Sequence, residues 1–395
     1  MSPFIEENDL RVIQNSHWRP HVVVVGAGVV GANITLELAA QGAEVTVLAA
    51  NASLEEGATP NSFAWITNQT FFRAKDPVPD DKARAYFNLH RLSHAAWRRL
   101  QLKLNDRLGV RWNGAVQWAY QGQQEEIVRI RAELERRQSW GSPSYPVSAL
   151  EIGELLPSAQ LPEEPAIALF ANDEGIVDPF SAVPALLKAA QRLGVTVEAP
   201  RVVETFESAA GDRILVKHSE GSTVCDKVVI AAGRQTPDLA AEVDVQVPLA
   251  ESSGDLVHFA PQEDLIAPMV MAPDLHALQR PDGRVIVARH YTGVSSGDID
   301  DDGELDPSEV IKDAAEIFPA LKGAKVEKTT RGRRVVPVDG LPIVGESKTL
   351  PGVHVMATNA GISLGPAFGQ LLTTEVLYGA EVDLFRDYRP ERFAS

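Results

Sequence analysis

His21-Val22-Val23-Val24-Val25-Gly26-Ala27-Gly28-Val29-Val30-Gly31 decides the fold. Four consecutive valines read as a strand buried on both faces, because a strand with one wet face would alternate. Three glycines follow in G-x-G-x-x-G spacing, and Ala32-Asn33-Ile34-Thr35-Leu36-Glu37-Leu38 then reads as a helix. Gly26 permits the tight turn, Gly28 lets backbone approach a pyrophosphate, and Gly31 allows close helix–strand packing. The helix start adds unpaired N–H groups and a positive dipole end. Beyond Gly42, Val45-Thr46-Val47-Leu48 gives a second buried strand. The stretch is a dinucleotide-binding βαβ start.

The rest of the composition bounds what surrounds that start. A chain of 395 residues is long enough for two cores. Its 37 Lys plus Arg against 54 Asp plus Glu leave a charge of −17, which argues against a nucleic acid or an anionic membrane as partner. Cys225 is the single cysteine, so no intrachain disulfide forms; beside Val228-Val229-Ile230 it reads as buried and inert. No apolar run approaches the ~18 residues of a membrane span. Residues 1–18, with Glu6, Glu7, Asp9 and Arg11, read as an N-terminal extension without a secretory h-region. A cytoplasmic location is the expectation.

Parallel-type and antiparallel-type signals alternate along the chain. Ala83 to Leu104 places Leu89, Leu92, Ala96 and Leu100 on one helical face. Trp112–Tyr120 reads as a strand, Glu125–Arg137 as a charged helix, and 177–193 as a helix starting at Asp178-Pro179. Val228-Val229-Ile230 and Val353-His354-Val355-Met356-Ala357 are further buried strands. Between them, Leu256–Phe259, Leu275–Arg280 and Arg284–His290 read as antiparallel, the last two joined at Pro281-Asp282-Gly283. The expected fold is α/β: a Rossmann-like nucleotide domain assembled from three segments, with an inserted α+β domain on an antiparallel sheet. The expected boundaries are 19–75, 150–243 and 328–395 for the first, and 76–149 and 244–327 for the second. A substrate would lie in the crevice between them.

One expected residue is missing. A carboxylate should end the second strand and bind the ribose hydroxyls, but Ala49-Ala50-Asn51 stands there with no neighbouring arginine. Asn51 or Ser53 would hydrogen-bond the ribose instead, as neutral donors and acceptors.

Several motifs together make a resemblance specific. GAGVVG at 26–31, GATPNSFAW at 57–65, VVIAAGRQTPDLA at 228–240, VVPVDGLPIVG at 335–345 and GVHVMATNAGISLGPAFGQLL at 352–372 occur in order over nearly the whole chain. In this the chain resembles the FAD-dependent amine and amino-acid oxidoreductases, the family of glycine oxidase, sarcosine oxidase and D-amino-acid dehydrogenases. The resemblance implies FAD as cofactor. It places Thr59, Asn61 and Ser62 at the phosphates and ribityl chain, and Phe63 and Ala64 beside the isoalloxazine ring. Val203 would meet the adenine, and Ala232 and Gly233 would line the same cofactor. Gly361, Ile362, Ser363, Leu364 and Gly365 match the turn whose N–H groups approach the pyrimidine end of the flavin, where donors stabilise negative charge.

The resemblance also implies a substrate arginine. Arg334 matches the family position that grips a carboxylate through two parallel hydrogen bonds; Arg331 and Arg333 read as pointing to solvent. His290 and Tyr291, at the end of a hairpin strand, are candidates to contact substrate. Asn359 stands where many relatives carry a histidine, and so joins the candidate site as a departure from the pattern.

Two other patterns read as non-functional. Asp298 to Glu309 has the spacing of an EF-hand loop, but no helix pattern precedes it and it reads as a solvated acidic loop. His90 and His94 stand one turn apart without a third ligand, which reads as a surface helix face, so no metal is expected. The expected activity is oxidation of a C–N bond in an amino acid or N-substituted amine by hydride transfer to flavin, giving an imine that hydrolyses. Oxygen or an electron carrier would take the electrons. The alternatives are a flavin-binding subunit of a larger electron-transferring complex, with a partner subunit, and a nicotinamide-dependent dehydrogenase.

Overall fold

Burial of the valine run organises the first core. In the computed structural model, which describes residues 19–54, 56–68, 79–289 and 307–394, Val22, Val23 and Val24 are fully buried. His21–Val25 pairs in parallel with Glu44–Leu48 on one side and Lys227–Ile230 on the other. Thr196–Glu198 and Val353–Ala357 extend the two flanks in parallel, and Ile343–Glu346 closes one edge antiparallel. Strands from the beginning, middle and end of the chain therefore share one six-stranded sheet. Helices Val29–Ala40, Pro179–Arg192 and Gly361–Tyr378 cover one face. The antiparallel meander Val203–Ala209, Arg213–His218 and Gly221–Cys225 covers the other, with Phe206 and Val216 turned inward.

An eight-stranded sheet forms the second core. Its order runs Val326–Arg333, Ser253–Phe259, Val285–Arg289, Leu275–Gln279, Met269–Met271, Ala115–Ala119, Ile167–Ala171, Ser144–Pro146. Every pairing is antiparallel except that of Met269–Met271 with Ala115–Ala119. Side-chain alternation divides the faces. Val257, Val285 and Val287 face helix Ser308–Ile317, while Leu256, Leu278, Ile286 and Ala288 face Phe63 and Trp65. The second face looks toward the nucleotide sheet.

Three expectations change. Ile167–Ala171 pairs with Ala115–Ala119, although 150–243 is expected to form a nucleotide segment. Val326–Arg333 runs across the expected boundary at 328 and pairs along its length with Ser253–Phe259. Helix Asp80–Lys103, expected in the substrate segment, lies instead on Gly361–Tyr378: Trp97 Nε1 donates to the Ile362 carbonyl at 2.9 Å, and Ala367 N to Ser93 Oγ at 3.3 Å. His90 and His94 of this helix are 1% and 6% exposed and not on a surface face: His90 meets Tyr86 edge-on at 4.7 Å, and His94 lies 5.7 Å from Trp112. His290, Tyr291 and the acidic stretch from Asp298 to Asp306 lie outside the described residues. Among the described residues, no cluster of three or more His, Cys, Asp or Glu could hold a metal, and no helix is long and apolar enough to cross a membrane.

A stripe of small residues sets the approach of the first and last helices. A Cβ on Gly369 would sit 2.9 Å from the Asn33 carbonyl oxygen, one on Gly365 3.0 Å from Asn33 Nδ2, and one on Gly361 3.0 Å from Val30 Cγ2. The Asn33 amide in turn donates to the Val29 carbonyl at 2.8 Å. Backbone cannot retreat as a flexible side chain can. Gly369→Ala should therefore destabilise by about 1–3 kcal/mol. Gly153→Ala, inside a helix with nothing within 4 Å, should gain up to about 1 kcal/mol. Urea melts of the two variants measure both.

Candidate functional site

Two helix starts without side-chain caps meet beside the parallel sheet. At the first, Gly26 takes φ +109°, and a Cβ there would collide with the Ala231 carbonyl. Gly28 is the N-cap residue of Val29–Ala40, and Val29 N donates to Thr59 Oγ1 at 3.2 Å. At the second, Leu364 N to the Ala360 carbonyl is the first helical bond of Gly361–Tyr378. The amides of Gly361, Ile362 and Ser363 precede it and have no acceptor one turn back. Because Gly361 abuts Val30, the two sets of donors serve one region. That convergence is the arrangement a pyrophosphate and an electron-rich ring require.

Residues 57–67 connect the walls of this region. Asn61 Nδ2 donates to the Gly57 carbonyl at 3.0 Å, Ser62 Oγ to the Thr59 carbonyl at 3.0 Å, and Ala64 N to Ser62 Oγ at 3.2 Å. Ala64 is buried with φ +55°, a left-handed conformation that costs an alanine roughly 1–2 kcal/mol. Val177 N, donating to the Ala64 carbonyl at 2.9 Å, holds it there. Phe63 consequently turns to the second sheet and meets His276 edge-on at 5.8 Å. Asn61 backs onto Gly332, where a Cβ would strike the Asn61 carbonyl. Trp65 and Thr67 join the last helix: Ser363 Oγ donates to the Trp65 carbonyl at 3.0 Å and accepts from Thr67 N at 3.1 Å.

The remaining candidates fall around this frame. Ala49 is buried, its N–H donating to the Glu198 carbonyl at 3.0 Å and its carbonyl accepting from Arg201 N at 2.7 Å. Asn51 Nδ2 donates to Glu56 Oε2 at 2.9 Å. Glu56 thus offers an exposed carboxylate to Asn51 from the following loop. Val203 is buried at the start of the meander, paired with His218. Ala232 and Gly233 follow strand Lys227–Ile230, and a Cβ on Gly233 would lie 3.8 Å from Val335 Cγ2. Asn359 is exposed in the turn before Gly361.

Arg334 lies on the second sheet's inward face. Its guanidinium packs where a Cβ on Gly254 would fall, and its backbone N donates to the Ser252 carbonyl at 2.8 Å. Burial lowers its pKa to about 10 while Asp255 opposes the shift, so it stays cationic at neutral pH. Arg331, expected in solvent, is half-buried and bonds Asp255 through Nε at 2.8 Å and Nη2 at 3.1 Å. Arg333 is exposed.

A buried polar cluster behind Thr67 is not legible in the sequence. Glu174 Oε1 accepts from Thr67 Oγ1 at 3.0 Å, from Asn68 N at 3.0 Å and from Arg137 Nη1 at 2.8 Å. Arg137 Nε also donates to Glu133 Oε1 at 2.7 Å. Burial raises the Glu174 pKa, and Arg137 pulls it back. Burial lowers His90 to about 3 and His94 to about 4. Both imidazoles are neutral near neutral pH.

The chain is similar to known proteins over most of its length. The family model DAO, described as FAD dependent oxidoreductase, matches residues 21–375. Over 380 residues the chain is 24% identical to one of the subunits of opine oxidase from Rhizobium meliloti, which is 94% of this chain and 97% of that protein. Glycine oxidase of Pseudomonas putida is 30% identical over 172 residues, 42% of this chain and 45% of that protein. Among solved structures, glycine oxidase from Geobacillus kaustophilus shares the fold with a TM-score of 0.79 at 22% identity, over 95% of this chain and 100% of that chain.

The neutral His90 gives a pH signature. Between pH 6.5 and about 3 the unfolded chain binds a proton at this ring that the folded chain refuses, so the ring's contribution to stability is lost as pH falls through that window. Glu174, raised in the folded state, acts in the opposite sense. Thermal melts of wild type and His90→Gln should therefore differ in slope. The variant is expected to lose less stability between pH 6.5 and 4.

Proposed function

The chain belongs to the DAO family of FAD-dependent oxidoreductases, and from that premise we propose that it oxidises the C–N bond of a carboxylate-bearing amino acid or N-substituted amine. The meeting of two uncapped helix starts, at Gly28 and Gly361, carries the reading. FAD, when bound, supplies the two-electron acceptor that takes a hydride from the carbon next to nitrogen. Val29 N with Thr59, and the Gly28 backbone, are the groups for the pyrophosphate. The first-turn amides of Gly361, Ile362 and Ser363 offset negative charge at the pyrimidine end. Phe63 and Ala64 form the neighbouring wall of the ring site. Asn51 and Glu56 together read the ribose hydroxyls, so the adenosine end is held from a loop instead of from Ala49.

Arg334 is the carboxylate anchor in this reading. It lies on the sheet face that turns toward Phe63 and Trp65, and a charged guanidinium fixes a carboxylate in direction as well as distance. The glycine oxidases among the relatives support a substrate of this class. Holding the carboxylate fixes the reacting C–H bond in place, which is the protein's main contribution to the rate. The imine product then hydrolyses with water. The likeness to an opine oxidase subunit along nearly the full length of both proteins supports a second reading, in which this chain is the flavin-carrying part of an assembly. The single buried thiol supports a cytoplasmic location.

Purified protein should be yellow, and anaerobic mixing with a panel of carboxylated primary and secondary amines should bleach the flavin with at least one. Arg334→Ala should raise KM for that amine by at least tenfold at unchanged flavin content. No bleaching by any amine would overturn the assignment, and an unchanged KM would remove Arg334 from it. Peroxide formed by the chain alone would count against the assembly reading.

A further inference from the structure

We propose that Glu174, held by Arg137, is a positioning residue for the flavin-facing turn, acting through Thr67 and Ser363. This rests on reading Gly361–Gly365 as that turn.

The chain of contacts is continuous. Ser363 stands in the first turn of the last helix, 2% exposed. Its hydroxyl caps nothing in its own helix. Both its proton and a lone pair go to the backbone of the neighbouring segment, at the Trp65 carbonyl and Thr67 N. One side chain thus sets the spacing between the segment containing Phe63–Thr67 and the start of the helix, the two walls of the proposed ring site. Thr67 is held from behind, because its hydroxyl and the next amide, Asn68 N, both donate to one oxygen of Glu174.

Glu174 is costly to keep there. Its side chain and that of Arg137 are each 1% exposed, and removing two charges from water costs several kcal/mol per ion before their attraction is counted. An apolar pair of similar volume would often be as stable. What an apolar pair could not do is direct two donors, from Thr67 and Asn68, at one point. The helix start is pinned a second time by Trp97, donating to the Ile362 carbonyl at 2.9 Å. With both contacts made, the amides of Gly361, Ile362 and Ser363 are held in place before any ligand arrives, which makes a donor set effective.

The test uses full-length protein loaded with FAD and sulfite as the probe, since sulfite affinity reports how well donors near the pyrimidine end stabilise negative charge. Ser363→Ala, Thr67→Val and Glu174→Gln should each raise the sulfite Kd about tenfold, and Ser363→Ala combined with Glu174→Gln should do no more than either alone, as for residues acting in one chain. Hydrogen exchange of a peptide covering 361–367 should rise in the same variants. Leu321→Ala, which opens the distant core under the second sheet, should lower Tm yet leave both readouts within twofold of wild type. Should Glu174→Gln fail to fold, Thr67→Val breaks the same link with the ion pair intact. Yellow variants of Ser363 and Thr67 whose sulfite Kd stays within twofold of wild type would overturn this inference alone. A wild-type chain that takes up no FAD would overturn the functional reading and this inference with it.

Discussion

The packing of Val29–Ala40 against Gly361–Tyr378 is the constraint on which the site depends. Gly361, Gly365 and Gly369 repeat every four residues, so they lie along one face of the last helix. They bring its backbone onto Asn33 and Val30 of the first. Two helices that approach this closely at their N-terminal halves must end near one another. Their first-turn N–H groups, which have no acceptor one turn back, are then concentrated in one place. The first helix is apolar nearly all round, which suits a helix enclosed by the sheet, a neighbouring helix on each side and the site itself.

The second sheet supplies what the first cannot. A parallel sheet and its helices present mainly backbone donors at their helix starts. The inward face of the eight-stranded sheet sets His276 against Phe63 and carries the Arg334 guanidinium over Gly254. The segment from Thr59 to Thr67 joins both halves, touching the first helix, the second sheet and the last helix within a few residues. Its left-handed Ala64 is the local concession that allows Phe63 and Trp65 to serve different neighbours.

Much of this is legible in the sequence because the governing signals are local. A run of valines, glycines at fixed offsets and the Asp178-Pro179 helix start act through nearest neighbours, and helix Pro179–Arg192 begins with Asp178 as its cap. Arg334 can be separated from Arg333 by strand alternation alone. What stays hidden depends on distant segments meeting. His90 and His94 look like a polar surface pair until residues as distant as Trp112 and Arg137 close over them. Ile167–Ala171 carries nothing that favours one sheet over the other, and only its partner Ala115–Ala119 decides. Glu174 and Arg137 are ordinary charges in sequence, and their burial together is a tertiary fact. The pairing of Glu56 with Asn51 is equally hidden, because a loop carboxylate has no fixed spacing from the glycines.

The six-stranded sheet also has a bearing on biosynthesis. His21 N bonds Asp226 across 205 residues, and Ser363 bonds Trp65 across 298. Contacts so far apart in the chain are slow to form, since the loop between them must close first. The valine strand therefore leaves the ribosome long before Val353–Ala357 exists to complete its sheet. During that interval its apolar surface needs shelter from aggregation, either by a chaperone or by provisional burial against the segments already made.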